Sequence, residues 1–339
     1  AFQQNLPIVP VTDLMINYND FIVATQGRAF WVMDDLNPLY ELSQAAETDF
    51  YVYEPEVAIR DNAFRTGNTS IGQNPFPGFN LYVYLKEKTD SIPLVVDFMD
   101  AKGEVVRHFS SDAKERSEQL RVKKGMNHIN WNLTKPNPKG VDGVFVGLGA
   151  GGHRLAPGKY TAKITYGEQE IMKALEVVPD PRWSATDAQY AEQQKYLSSL
   201  RQAIDGLQER ANDIRSIRSQ VNDLKSRISA EDWPQVHEQV EAIIEMINKT
   251  EEQMVQPNQK TFQDVINFPN KLEVELLHIY GTIDGIEPPV TNGQIQRYNE
   301  MLTKYTLVMD ESNSIEAGLD QLMEYIRTNK VPFIAAKKQ

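Results

Sequence analysis

The sequence predicts a multidomain chain, β in its first half and α in its second: an N-terminal hairpin fragment, an immunoglobulin-like antiparallel β-sandwich and a C-terminal antiparallel four-helix bundle. Three observations predict this. Short runs of alternating apolar and polar residues, parted by glycine-marked turns, fill residues 50–178. Pro179 and Pro181 then close the β region. From Leu197 to Ile326 apolar residues recur at three- and four-residue spacings, the signature of amphipathic helices.

Residues 21–25 form an apolar, β-branched run, Gln26-Gly27-Arg28 a tight turn, and residues 29–33 the returning strand. Gly27 accepts the positive φ that such a turn demands. A lone hairpin of this length cannot bury both faces, so it needs a larger sheet around it. Asn5-Leu-Pro-Ile-Val-Pro-Val-Thr-Asp13-Leu, followed by Asn19-Asp-Phe-Ile-Val-Ala-Thr-Gln-Gly-Arg-Ala-Phe-Trp-Val-Met-Asp-Asp35-Leu, resembles the last blade of bacterial sortilin-like β-propeller proteins. These are large exported proteins, often labelled glycosyl hydrolases because their repeats look like those of sialidases. The resemblance is dense over residues 1–40 and looser downstream. It implies that residues 1–45 are a last-blade remnant, that the chain is the C-terminal part of a longer protein, and that an upstream propeller of the same protein is a partner. The sialidase-type Asp-box is not in the sequence, and neither is a cysteine-rich module of the animal sortilin kind, since the chain has no cysteine.

Residues 46–180 carry about seven strand-like runs, the number an immunoglobulin-like antiparallel sandwich uses. Residues 50–53 and 56–60 are short extended runs, and residues 79–85, 94–99, 104–109, 125–133, 158–166 and 171–178 follow. Gly103 suits a hairpin turn, and Trp131 supplies a large core side chain. Asp100-Ala-Lys-Gly-Glu-Val-Val-Arg107, Gly125-Met-Asn-His-Ile-Asn-Trp131 and Leu155-Ala-Pro-Gly-Lys-Tyr160 resemble the immunoglobulin-like domains of the flagellar hook-capping protein and of bacterial surface proteins.

Residues 184–330 read as the bundle. Thr186-Asp-Ala-Gln189 is a capping box that opens a helix running to Ile228. Ser229-Ala-Glu-Asp232 is expected to cap a second helix, which Pro257 stops. A third presents Leu272, Leu276, Ile279 and Ile283 before Gly285. Thr291-Asn-Gly-Gln294 opens a fourth, with a seam from Ile295 to Ile326. Short proline-marked turns between them give an up-down-up-down bundle. Residues 331–339 are left as a tail.

Composition narrows the function classes. The chain has 339 residues, enough for two or three domains with cores of their own. A net charge of −12 argues against a nucleic-acid footprint, which needs a basic face. No run approaches the ~20 apolar residues of a membrane-spanning helix. Ala1-Phe-Gln-Gln is no signal peptide, so an export signal is expected upstream.

No set of side chains converges on catalysis in the sequence. Gly147-Leu-Gly149-Ala-Gly-Gly152 matches GxGxxG, but leads to Ala156-Pro157-Gly158 and a strand, where a dinucleotide site needs a helix. Asp34 and Asp35, beside Arg28, suggest a glycosidase pair. Adjacent strand residues point to opposite faces, however, whereas catalytic carboxylates must flank one bond. They read instead as a strand-end turn with a structural Arg–Asp pair. The histidines at 108, 128, 153, 237 and 278 lack metal-ligand spacing. Tyr82, Tyr84, Tyr51 and Tyr53 read as core and cross-strand aromatics rather than a sugar platform. Asn68, Asn132 and Asn248 begin N-glycosylation-type triplets, which are too short to carry weight.

The sequence therefore predicts no catalytic, cofactor-binding or metal residue. The function expected from the resemblance is a non-catalytic accessory module of an exported protein, binding a protein or glycan at the cell surface or in the periplasm. The alternative is the C-terminal part of a sialidase-like glycoside hydrolase whose active site lies in upstream blades.

Overall fold

The computed structural model describes residues 4–61, 65, 71–147 and 151–332. They form two compact units, Ala1–Pro136 with Arg154–Ser184, and Asn137–His153 with Ala185–Gln339.

The first unit opens with a three-stranded antiparallel sheet in the order β1-β2-β3: β1 Val11–Asn17, β2 Asp20–Thr25 and β3 Phe30–Met33. Tyr18 and Asn19, at φ 49° and 67°, make the two-residue turn between β1 and β2, the primed geometry that matches strand twist. Gly27 at φ 80° turns β2 into β3. The blade remnant predicted for residues 1–45 is corrected here. A propeller blade has four strands. After Met33 the chain turns at Asp35, φ 56°, into two short helices, α1 (Asn37–Tyr40) and α2 (Leu42–Ala46). Pro38 suits the first turn of α1, where its missing N–H costs nothing.

Eight strands follow: β4 Phe50–Val52, β5 Ala58–Arg60, β6 Phe79–Leu85, β7 Leu94–Met99, β8 Val105–Ser110, β9 Gly125–Trp131, β10 Gly158–Tyr166 and β11 Gln169–Pro179. They make a five-stranded sheet, β5-β11-β10-β7-β8, and a three-stranded sheet, β4-β6-β9. Alternate residues of both sheets meet in one core, where Leu81, Val83, Leu94, Val96, Phe98 and Ile164 are fully buried. The antiparallel immunoglobulin-like sandwich is corrected too. β5 pairs with β11 in parallel, Ala58 opposite Val177, so the larger sheet is mixed. The cause is local. Arg60 points inward and its Nε donates to the Leu155 carbonyl at 2.8 Å, fixing a three-residue strand that alternation alone does not specify.

Gly78 shows how tightly this core closes. At φ 84°, it sits where a Cβ would lie 2.1 Å from the Trp131 carbonyl oxygen. Trp131 itself packs against Phe98 at 4.4 Å between ring centroids, and its Nε1 donates to the Thr134 carbonyl at 2.9 Å.

Among the described residues the second unit contains five long helices, α3 Asp187–Arg227, α4 Pro234–Met254, α5 Leu272–Asp284, α6 Asn292–Ser312 and α7 Ser314–Asn329, with a 3₁₀ turn at Asp264–Ile266. The predicted four-helix bundle is corrected by this count. Its expected fourth helix is two helices, α6 and α7, parted at Asn313. Both capping boxes are formed: the Gln189 and Gln294 N–H groups each donate to their threonine Oγ1 at 3.3 Å. Ser229 does not cap α4; its N-cap is Trp233, with Pro234 opening the helix.

α3 is about 61 Å long at ~1.5 Å per residue. It buries Leu197, Leu200, Ile204, Leu207, Ala211 and Ile214, a stripe in which each larger side chain contributes ~1.5–3 kcal/mol before ordering costs. It also holds a strap, residues 140–142. The Gly140 N–H donates to Gln208 Oε1 at 2.9 Å, the Asp142 N–H to Asn212 Oδ1 at 3.3 Å, and Arg215 Nη1 to the Asp142 carbonyl. Three residues of α3, at spacings of four and three, thus satisfy the strap's backbone.

Candidate functional site

A cleft of about 450 Å³ opens in the first unit where the β1–β2 turn and the end of β3 face β5 and β6. That is within the ~300–1,000 Å³ range of ligand pockets. Its walls carry Asp20, Asp34, Asp35, Glu56 and Asp61, with Tyr18, Phe76 and Tyr82 as aromatic surfaces.

The turn chemistry of β1–β3 assembles the acidic side. β2 pairs with β3 so that Phe21 lies opposite Met33, which brings Asp20 and Asp34 to the same end of the sheet. The Leu36 N–H donates to the Asn19 carbonyl at 3.0 Å, and the Asp35 N–H to Asp20 Oδ1 at 3.2 Å. Asn19 Nδ2 donates to Glu56 Oε1 at 2.5 Å and to Asn37 Oδ1 at 3.1 Å, tying the turn to the strand that follows.

Burial and mutual repulsion then hold protons on this cluster. Asp35 is pushed up to about 6 by burial and by the Glu56 carboxylate, against the Asn37 N–H that stabilises its ionised form. Asp34 is raised by burial and by Asp20, with Arg65 acting the other way. Burial, followed by the charges of Asp35 and Asp34, pushes Tyr82 up to about 12. Tyr82 stacks on His128 at 5.0 Å between ring centroids, and His128 is lowered by burial and by Arg65.

Sequence reasoning placed Asp34 and Asp35 on opposite faces; both line the cleft. The strand ends at Met33, and the positive φ of Asp35 cancels the alternation. Arg28 does not pair with them. It lies at the other end of β3, where its Nη1 donates to the Gly27 carbonyl at 3.3 Å. Asp20 and Glu56 were missed, although the hairpin register alone predicts that Asp20 neighbours Asp34. Tyr82, read as a cross-strand aromatic, reaches the cleft wall, while Tyr53 is buried and Tyr51 donates its hydroxyl to Glu41 Oε2 at 2.7 Å.

Four of the five histidines are held one by one. His108 Nδ1 meets Asp97 Oδ1 at 2.6 Å, His128 Nε2 meets Asn80 Oδ1 at 2.8 Å, His153 Nδ1 meets the Tyr280 hydroxyl at 2.7 Å, and His237 Nε2 meets the Ile228 carbonyl at 2.9 Å. Among the described residues no group of three or more His, Asp and Glu is placed to hold a metal ion. The GxGxxG match includes residues 148–150, which lie outside the described residues, as do Asn68 and its triplet. Of its described part, the Gly152 N–H donates to Asn137 Oδ1 at 3.1 Å. The Asn132 and Asn248 amides are engaged by Thr134 and Arg218.

Beside the cleft lies a second feature, the sheet β1–β3 itself. Leu14, Val23 and Trp31 are cross-strand neighbours, as are Met15, Ile22 and Val32 in the adjacent rung, so the sheet is apolar on both faces. Leu14, Met15, Ile16, Phe30 and Val32 are exposed, Phe30 by 75%. No family model matches the chain, and no curated protein is similar to it. No helix among the described residues is long and apolar enough to cross a membrane.

Proposed function

We propose that this chain is a non-catalytic interaction module of an exported sortilin-like protein, acting at the cell surface or in the periplasm. It docks through the sheet β1–β3 onto a protein surface, an upstream part of the same protein or a separate envelope protein. The observation that carries this is the exposure of large apolar side chains on both faces of one small sheet. A three-stranded sheet is stabilised by burying a face. Exposed apolar area of this kind marks a contact surface. A glycan offers hydroxyls and fits such a surface less well than an apolar protein face does. Support for export and for the family comes from the resemblance of residues 5–14 and 19–36.

Sedimentation velocity of the chain and of its Met15→Lys/Ile16→Lys variant tests the docking surface. The wild-type chain, lacking its partner, is expected to self-associate with rising concentration and the variant to stay monomeric with unchanged helix content. A wild-type chain that remains monomeric and binds no apolar dye overturns the proposal.

A further inference from the structure

We propose that the edge of β1 from Leu14 to Asn17 takes an extended strand of the partner polypeptide, and that a basic side chain at one end of that strand enters the carboxylate cleft. This rests on the reading of the sheet as a protein-docking surface and names the chemistry of what docks there.

β1 is an edge strand; among the described residues β2 is its one hydrogen-bonded neighbour. Edge strands are ordinarily guarded by bulges, charges, lysine or proline. In β1 those guards sit at one end only. The pairing with β2 shifts between Val11 and Asp13, and Asp13 adds a charge. Asp13 Oδ1 also accepts the Leu14 N–H at 2.8 Å, so the guard reaches Leu14, 57% exposed; Met15 and Ile16 beyond it are 54% and 60% exposed, with no charge or proline between them. An incoming strand with one apolar face extends a cross-strand row already present, and its backbone pairs with the open part of the edge, the mode by which extended peptides add to sheets.

The unguarded end of β1 runs directly into Tyr18, which lines the cleft. Among the described residues five carboxylates line the cleft, against Arg182, which Asp180 holds with Nε 2.9 Å from Oδ1, and Arg65, whose guanidinium lies over Phe76 at 3.9 Å and acts on Asp34. Asp35 is raised first by burial and then by the Glu56 charge, and a cation arriving there offsets the second of these, whereas a neutral group does not. A second copy of β1 would not supply the cation: residues 4–27 contain Asp13 and Asp20 but no lysine or arginine.

The test uses the full chain and a short synthetic peptide of alternating valine and threonine, with arginine at either its amino or its carboxyl end. The control replaces arginine by citrulline, which has the same shape and no charge. Calorimetry is expected to show one arginine peptide binding about tenfold tighter than its citrulline control. The difference should vanish in Asp35→Asn/Glu56→Gln, and Met15→Lys/Ile16→Lys should weaken both peptides. Equal binding of arginine and citrulline peptides, both weakened by the β1 substitutions, overturns the cationic anchor and leaves the sheet as a docking surface. Binding insensitive to the β1 substitutions overturns the strand addition. Binding of no peptide overturns the proposal outright.

Discussion

The guanidinium of Arg210 on α3 holds the backbone carbonyl of Ser312, with Nη2 2.7 Å from the oxygen. Arg210 Nε also donates to Ser312 Oγ at 2.9 Å, and its two terminal nitrogens pair with the Glu316 carboxylate. That carbonyl would otherwise serve the next turn of a continuous helix. Ser312 Oγ donates to the Met309 carbonyl at 2.6 Å, and the Asn313 N–H turns back to Asp310 and Glu311. Local side-chain hydrogen bonds of this kind compete with the helix ladder. One arginine thereby parts α6 from α7.

Arg210→Ala should lower the stability of the helical unit by about 2–4 kcal/mol, because several charge-assisted hydrogen bonds are lost and Glu316 loses its partner. Arg210→Lys should recover only part of this, since an ammonium cannot span a carbonyl, a hydroxyl and a carboxylate together. Urea unfolding followed by helical circular dichroism measures both. Unchanged midpoints would show that the break does not depend on Arg210.

Gly78→Ala should disrupt the sheet core. Its positive φ and the 2.1 Å approach of the Trp131 carbonyl leave no room for a methyl group. A loss of at least about 3 kcal/mol is expected from backbone strain and overlap together. The near-ultraviolet signal of the tryptophans should weaken or vanish. A stable variant with the native signal would mean that β9 can shift to accommodate the methyl.

Asp35 supplies a pH dependence with a definite sign. Its folded pKa, about 6, lies above the ordinary 3.8, so the folded chain holds that proton more tightly than the unfolded one. The stabilisation is complete below about pH 4 and lost as pH rises through about 6. Asp35→Asn, which keeps a neutral acceptor for the Asn37 N–H, should therefore gain in thermal stability over wild type as pH rises from about 5 to about 8. A constant difference across that range contradicts the assignment.

The chain should not hydrolyse sialosides or other glycosides. Asp35 and Glu56 are the carboxyl pair to watch, since both line the cleft and Asp35 is raised, as the acid of a glycosidase pair is. Chromogenic glycosides incubated with the purified chain should remain intact. Turnover that disappears in Asp35→Asn or Glu56→Gln would overturn the non-catalytic reading.

Local chemistry was legible in the sequence where it depends on neighbours in the chain. The capping boxes at Thr186 and Thr291 need only a residue three positions away, and β6 and β10 follow from strict alternation. Assembly was not legible. The parallel pairing of β5 with β11 rests on Arg60 reaching Leu155, far along the chain, and the α6–α7 break rests on Arg210 of another helix. The cleft falls between these cases. Asp20 and Asp34 follow from hairpin register, but Glu56 arrives from the segment before β5 and Tyr82 from β6, and the left-handed Asp35 defeats the rule that adjacent strand residues point apart.

Amide hydrogen exchange along the isolated, monomeric chain tests the docking surface most directly. The sheet β1–β3 lacks the cover that the core of β6, β7 and β10 has, so residues 11–33 should exchange far faster than those strands. Adding a bound partner strand should slow exchange at Leu14, Met15 and Ile16 first. Protection through residues 11–33 as strong as in β6 and β10, with no partner present, would show the sheet to be self-sufficient and would contradict the account.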